Sequence, residues 1–220
     1  MLCRSVTLAI FLILASSSLG CGGTPQVMYQ PSDRTVVPGT TEEWNFDKDT
    51  PGKPAGAEVF TGAWEVRADA DAPSTPHVLC QTGRAEFPAL RLGDKVYTDL
   101  TATVRFKPIS GKDDQAAGII FRVQDKNNYY ILRANALEDN VMLFRYVGGS
   151  RSTIKESSAK VALGQWQGLK LEVDGNRFQG FLGGRLVVEG SDDTFAAGGI
   201  GLWTKADSVT CFDTFQVIAK

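Results

Sequence analysis

Apolar and polar residues alternate in short runs along most of this chain, and few stretches hold the 3.6-residue spacing of an amphipathic helix. The segment "DLTATVRFKP" shows the pattern well: Leu100, Ala102, Val104 and Phe106 fall on one face, and Thr101, Thr103, Arg105 and Lys107 on the other. Period-two alternation predicts a strand with one face buried, and Pro108 closes it. Comparable runs recur as "EVFTGAWEVRAD", "HVLCQT", "AGIIFRVQ", "NYYILRAN", "NVMLFRYVGG", "SRSTIKE", "WQGLKLEVDG", "RFQGFLGG", "RLVVEG", "GGIGLWTK" and "SVTCFDTFQV". The connections match them. Asp174-Gly175-Asn176 and Gly183-Gly184 are tight-hairpin signals, because Gly and Asn tolerate the positive φ of primed turns. Only "DDTFAAGG" could hold a helical turn. The expected fold class is all-β, an antiparallel β-sandwich.

The N-terminus reads differently. A lone Arg4 precedes "SVTLAIFLILASS" and then "SLGCGG": a short basic region, an apolar stretch and a small-residue cleavage zone. Residues 1–20 are read as a signal peptide of lipoprotein type, with Cys21 as the acylated N-terminus after cleavage. A plain secretory signal with an incidental cysteine is the alternative. Residues 21–43, rich in Pro, Gly and Thr, are read as a flexible tether, and 44–220 as one sandwich domain. The expected location is the cell envelope, with the membrane reached through the lipid anchor.

Formal charge is −2, so nothing points to nucleic acid as a partner. Of four cysteines, Cys80 and Cys211 remain in the domain, each in a strand-like run. They form either a disulfide joining its start to its end or two buried thiols. A single histidine, His77, and no CxxC argue against a zinc site or a Cys/His nucleophile.

In their order along 44–220, "GAWEVRADADAPSTPHVLCQTG", "YTDLTATVRFKP", "AAGIIFRVQDKNNYYILRANALEDNVMLFRYVGGSR", "GQWQGLKLEVDGNRFQGFLGGRLVVEGSDDTF" and "GGIGLWTKADSVTCFDTFQV" resemble the concanavalin A-like, laminin-G-like jelly rolls of bacterial exported proteins. Within that group the chain is similar to the 3-keto-disaccharide hydrolase domain, related to family 16 glycoside hydrolases. The resemblance implies two curved sheets face to face, with sugar held on the concave one. The Glu-x-Asp-x-x-Glu strand of active family 16 enzymes has its nearest match in "EVDGNR". There Glu172 and Asp174 are correctly spaced, but Arg177 replaces the second carboxylate and a turn interrupts the strand.

Strand alternation places Ile120 with Arg122, Tyr129 and Ile131 with Arg133, and Leu143 with Arg145. The opposite set, Phe121, Tyr130, Leu132, Met142, Phe144 and Tyr146, reads as inter-sheet core. With a four-residue loop at Asp125–Asn128 and a five-residue loop at Leu137–Val141, Arg122, Arg133 and Arg145 share one face beside Tyr129. They then form either a sugar-binding floor or a solvated surface with the arginine stems over apolar neighbours. Trp203, with Lys205 and Asp207 on the same alternation, is a second sugar-contact candidate; a core plug is the alternative for Trp203. Trp64 and Trp166 are assigned to packing. Asp47 and Asp213 are candidates for a structural calcium site, although two carboxylates do not complete one; no other cofactor is expected. If the domain is an enzyme, it cleaves 3-keto-glycosides, and Asp125, Glu138, Asp139 and Asp207 are carboxylates in suitable loops. A glycan or oligosaccharide is the expected partner. The alternative from another class is a non-catalytic protein-interaction module.

Overall fold

The computed structural model describes residues 34–220, which form fifteen strands and no helix. Strands are numbered along the chain and lie in two sheets. The first has the order β13 (Arg185–Ser191), β12 (Arg177–Leu182), β11 (Gln167–Asp174), β6 (Leu100–Ser110), β15 (Val209–Ala219), β4 (His77–Gln81) and β3 (Trp64–Ala68). β1 (Thr41–Trp44) joins it by pairing with β15. The second has the order β10 (Ser150–Ser158), β9 (Asn140–Val147), β8 (Asn128–Asn135), β7 (Ala116–Asp125), β14 (Gly198–Trp203), β5 (Ala89–Tyr97) and β2 (Ala57–Thr61). Every ladder between named strands is antiparallel. The fold is the expected jelly-roll sandwich.

The core between the sheets follows from alternation. Leu100, Ala102, Val104 and Phe106 of β6 enter it together with Leu169, Leu171 and Val173 of β11, and Ile119, Phe121, Tyr130 and Leu132 of the second sheet. Each such side chain contributes roughly 1.5–3 kcal/mol by leaving water. The hairpins form at the glycines expected. Gly175 and Asn176 connect Asp174 to Arg177, and Gly183 and Gly184, with φ of 56° and 81°, connect Leu182 to Arg185.

One boundary moves. Residues 34–43, read as the end of the tether, lie on the sandwich. The Val36 amide donates to Val96, the Arg34 carbonyl accepts from it, and β1 adds to an open stretch of β15 beside β4. The reason is a free sheet edge that these residues can pair with, whatever their composition. The signal reading of 1–20, the Cys21 lipidation site and the rest of the tether lie outside the described residues. Among the described residues, no helix is long and apolar enough to cross a membrane.

Cys80 and Cys211 sit opposite each other on β4 and β15, and their sulfurs are bonded at 2.02 Å. Trp166 packs over this pair on the outer side of the first sheet, with the Lys107 ammonium 4.9 Å from its ring centroid. Trp64 is buried in the core.

Candidate functional site

The outer face of the second sheet is apolar, and that sets it apart. Ala116, Ile120, Val123, Tyr129, Ile131, Met142, Phe144, Tyr146 and Trp203 form a second buried cluster there, with Phe60 and Phe87 against it. A generic sandwich leaves such a face to solvent with polar side chains. Here the face is also concave. Arg151 on β10 and Trp203 on β14 are four strand spacings apart, about 19 Å in a flat sheet. Yet the Arg151 guanidinium carbon lies 5.8 Å from the Trp203 ring centroid. The two side chains lean inward over the face, and the cleft beside them makes it a hollow.

Aromatic rings pave the hollow. Phe87 stacks on Trp203 at 5.7 Å and meets Tyr146 edge-on at 5.5 Å, and Tyr146 lies 4.8 Å from Tyr129. Arg151 spreads across the paving, 4.5 Å from the Phe144 ring and 4.8 Å from Phe87. It forms no ion pair, and its Nη1 has no hydrogen-bond partner among the described residues. Burial, and then the charge of Arg133, holds its guanidinium below the ordinary pKa. Burial, followed by Tyr146, raises the Tyr129 hydroxyl well above the phenol range, so it stays a neutral donor and acceptor. A cleft of about 250 Å³ opens here between Phe60, Phe87, Tyr129 and Tyr146, rimmed by exposed Glu86, Lys126 and Asn127.

Beyond Trp203 the face turns polar. Arg133 is 1% exposed; its Nη2 donates to Glu138 at 2.7 Å and to Asn140 Oδ1 at 2.6 Å. Asn140 Nδ2 donates in turn to Glu156 at 2.9 Å. Burial opposes ionisation of Glu138, but the Arg133 charge outweighs it and holds the carboxyl below its usual range. Lys205 ion-pairs with buried Asp114 at 2.6 Å, and Asn135 donates to the same carboxylate. These groups satisfy one another and brace the floor.

The arginine row predicted on one face does not form; only Arg133 keeps its place beside Tyr129. A bulge interrupts β7 between Phe121 and Asp125, with Arg122 at φ 48°. It swings Arg122 to the end of the core, where it donates to the carbonyls of Thr98, Gly175 and Phe195. The β7–β8 connection is a two-residue turn at Lys126–Asn127, not a four-residue loop, since Asp125 pairs with Asn128. The β8–β9 loop holds residues 136–139, one fewer than expected, so Arg133 pairs with Met142 and Arg145 with Tyr130. That single residue reverses β9. Met142, Phe144 and Tyr146, read as inter-sheet core, face the hollow instead. Leu143 enters the core, and Arg145 turns to Asp192 at 3.0 Å.

Trp203 faces the hollow but is fully buried beneath Phe87 and Arg151, so it is a plug in the floor. Lys205 is held by Asp114. Asp207 turns away and caps the amides of Lys112, Asp113 and Asp114 at 2.9, 3.0 and 3.2 Å, which hold its carboxyl low. Asp47 and Asp213 do come close, but around Ser74. The Ser74 hydroxyl donates to Asp47 and its amide donates to Asp213 at 2.6 Å. Burial above all, with the nearby Asp47 charge adding to it, raises the Asp213 carboxyl. Among the described residues no three His, Cys, Asp or Glu side chains converge as metal ligands. Of the other loop carboxylates, Asp125 caps Asn127 and Asn128 of its turn, and Asp139 pairs with Lys160. Only Glu138 borders the hollow's network. Glu172 pairs with Lys170 on the first sheet, far from it.

Phe60, Phe87 and Arg151 were not legible in the sequence as site residues. The only available signal was Arg151 and Thr153 alternating on an edge strand, which solvent exposure explains equally well.

One face of the jelly roll thus carries an aromatic, arginine-covered hollow. The chain belongs to the 3-keto-alpha-glucoside-1,2-lyase-like domain family, whose model matches residues 39–218. It is also 29% identical over 121 residues to the levanase of Bacillus subtilis, a match covering 54% of this chain and 18% of that protein. Among solved structures it is similar to the carbohydrate-binding module CBM66 of Bacillus subtilis, with TM-score 0.63 and 23% identity over 74% of this chain and 96% of that one. A second is the GH43 protein BlXynB of Bacillus licheniformis, with TM-score 0.53 and 16% identity over 81% and 39%. These structural likenesses establish the shared fold.

Proposed function

We propose that this domain binds carbohydrate in the concave hollow of its second sheet. The observation that carries this reading is Arg151: a guanidinium without an ion pair, resting on Phe87, Phe144 and Trp203 beside the Tyr129–Tyr146 cleft. Tyrosine and phenylalanine offer flat apolar surfaces to the C–H face of a sugar ring. The free guanidinium donors and the tyrosine hydroxyls serve its hydroxyl groups. The levanase match, the fold shared with CBM66 and the family assignment all support a sugar ligand. The family description also motivates cleavage of a 3-keto-glycoside as a second activity of the same face.

Titration calorimetry against fructans, glucose disaccharides and their 3-keto forms, with product release followed in parallel, tests both. Arg151→Ala and Tyr146→Ala are each expected to weaken binding about tenfold or more, as central anchors of an interface do, with circular dichroism unchanged. A variant that binds like the wild type removes its residue from the site. Binding with no product from any 3-keto-glycoside removes the cleavage reading.

The leader and Cys21 support a location outside the cytoplasm, tethered by acyl chains, and the Cys80–Cys211 bond suits an oxidising compartment. Each buried CH₂ of an acyl chain contributes roughly 0.8 kcal/mol to membrane attachment. Cys21→Ala is expected to move the protein from the membrane to the soluble fraction; retention in the membrane fraction would refute lipidation.

A further inference from the structure

The Tyr129–Tyr146 cleft does not end at Phe60. A second cleft of about 500 Å³ lies on the other side of that ring, lined by Glu58, Val59, Phe60, Arg91, Val123, Gln124, Asp125 and Lys126. Phe60 and Lys126 border both, so the two clefts adjoin across the Phe60 ring. The first cleft alone, at about 250 Å³, falls short of the roughly 300–1,000 Å³ common for small-molecule sites.

The second cleft carries its own hydrogen-bonding equipment. Arg91 projects from β5 across β14, where Gly199 leaves room: a Cβ there would stand 2.6 Å from Arg91 Nε. Arg91 Nη2 donates weakly to the Lys95 carbonyl at 3.3 Å, Nε is buried without a partner, and no ion pair neutralises the group. Gln124 lies opposite on β7. Its Nε2 donates to the carbonyls of Arg122 at 2.9 Å and Ala197 at 2.5 Å. Both partners are carbonyls, so the amide nitrogen must face them and Oε1 remains as an acceptor. A fixed donor and a fixed acceptor on either side of one cleft match adjacent sugar hydroxyls, each of which gives and takes a hydrogen bond. The charged lining is balanced, with Glu58 and Asp125 against Arg91 and Lys126, which favours an uncharged ligand.

We infer that these adjoining clefts hold two consecutive residues of a neutral saccharide, one against Phe87 and Tyr146 and the next between Arg91 and Gln124, with Phe60 between them. The inference rests on the carbohydrate reading above and extends it to ligand length. Calorimetry of the full chain with fructose, levanbiose and levantriose, and in parallel with glucose, trehalose and 3-keto-trehalose, tests it. In the series that binds, affinity is expected to rise at least tenfold from the single sugar to the disaccharide. Arg91→Ala and Gln124→Ala should each remove most of that gain and leave single-sugar affinity unchanged, whereas Tyr146→Ala weakens both. Equal affinity for one and two residues, or an equal loss for both in Arg91→Ala, overturns the two-residue site while leaving sugar binding intact. No response to any of these sugars in either series overturns both readings.

Discussion

Replacing both Cys80 and Cys211 with alanine is expected to lower the unfolding free energy by about 2–5 kcal/mol. The bond closes a loop of large span, its ends 131 positions apart in sequence. The chain-entropy treatment gives an upper value near 5 kcal/mol for such a loop. In structural terms, the bond ties β4, near the start of the sandwich, to β15, its last strand and the one paired with β6, β4 and β1. Without it, the backbone pairing of the β3–β4 unit with its sheet is the short β4–β15 ladder at residues 210–212. Urea unfolding of the double variant and of the reduced wild type should give the same lowered midpoint. A double variant that unfolds at the urea concentration of the oxidised wild type would show that the loop closure adds nothing.

Arg122→Ala is the second change with a large expected effect, about 3–5 kcal/mol. Its guanidinium gathers three loops: Thr98 between β5 and β6, Gly175 between β11 and β12, and Phe195 between β13 and β14. Asp99, 3.6 Å away, balances the charge and also accepts from the Gly175 amide. Truncation leaves three part-buried carbonyls without that donor at the end of the core. Arg122 also holds a left-handed backbone, which costs about 1–2 kcal/mol for a side chain with a Cβ; these contacts outweigh that strain. β14 is shaped to fit the bulge, since a Cβ at Gly198 would lie 2.4 Å from the Arg122 carbonyl carbon. Arg122→Lys should recover only a minor part of the loss. An ammonium keeps the charge but cannot aim donors at three separated carbonyls. Equal stability of the lysine variant and the wild type, by chemical denaturation, would mean that charge alone matters here.

These two sites stabilise the sandwich away from the candidate binding face. The disulfide lies on the outer surface of the first sheet and Arg122 at the end of the core. The hollow itself is braced separately, through Arg133, Glu138 and Asn140, and through Asp114 and Lys205. Arg151 and Arg91 take no part in either brace, which suits them as binding probes, whereas Gln124 also holds the Arg122 and Ala197 carbonyls, so Gln124→Ala is read together with its unfolding midpoint.

The amino-acid sequence by itself determined the strands, the tight turns at Gly175 and at Gly183–Gly184, and the sandwich class. These depend on alternation and on backbone preferences of neighbouring residues, which are local quantities. It also placed Tyr129 and Arg133 together on one face of a single strand, as candidates. Which side chains share that face was decided only in three dimensions. One residue fewer in the loop after Asn135 turned Phe144 and Tyr146 outward, and one bulge removed Arg122. Strand faces have period two, so any unit change in register inverts them, and the apolar content of β9 is high on both sides. Phe60 joins Phe87 and Arg91 through the pairing of β2 with β5, and Arg151 reaches Phe87 from the far edge of the same sheet. Such pairings belong to the whole sheet, and no single segment encodes them.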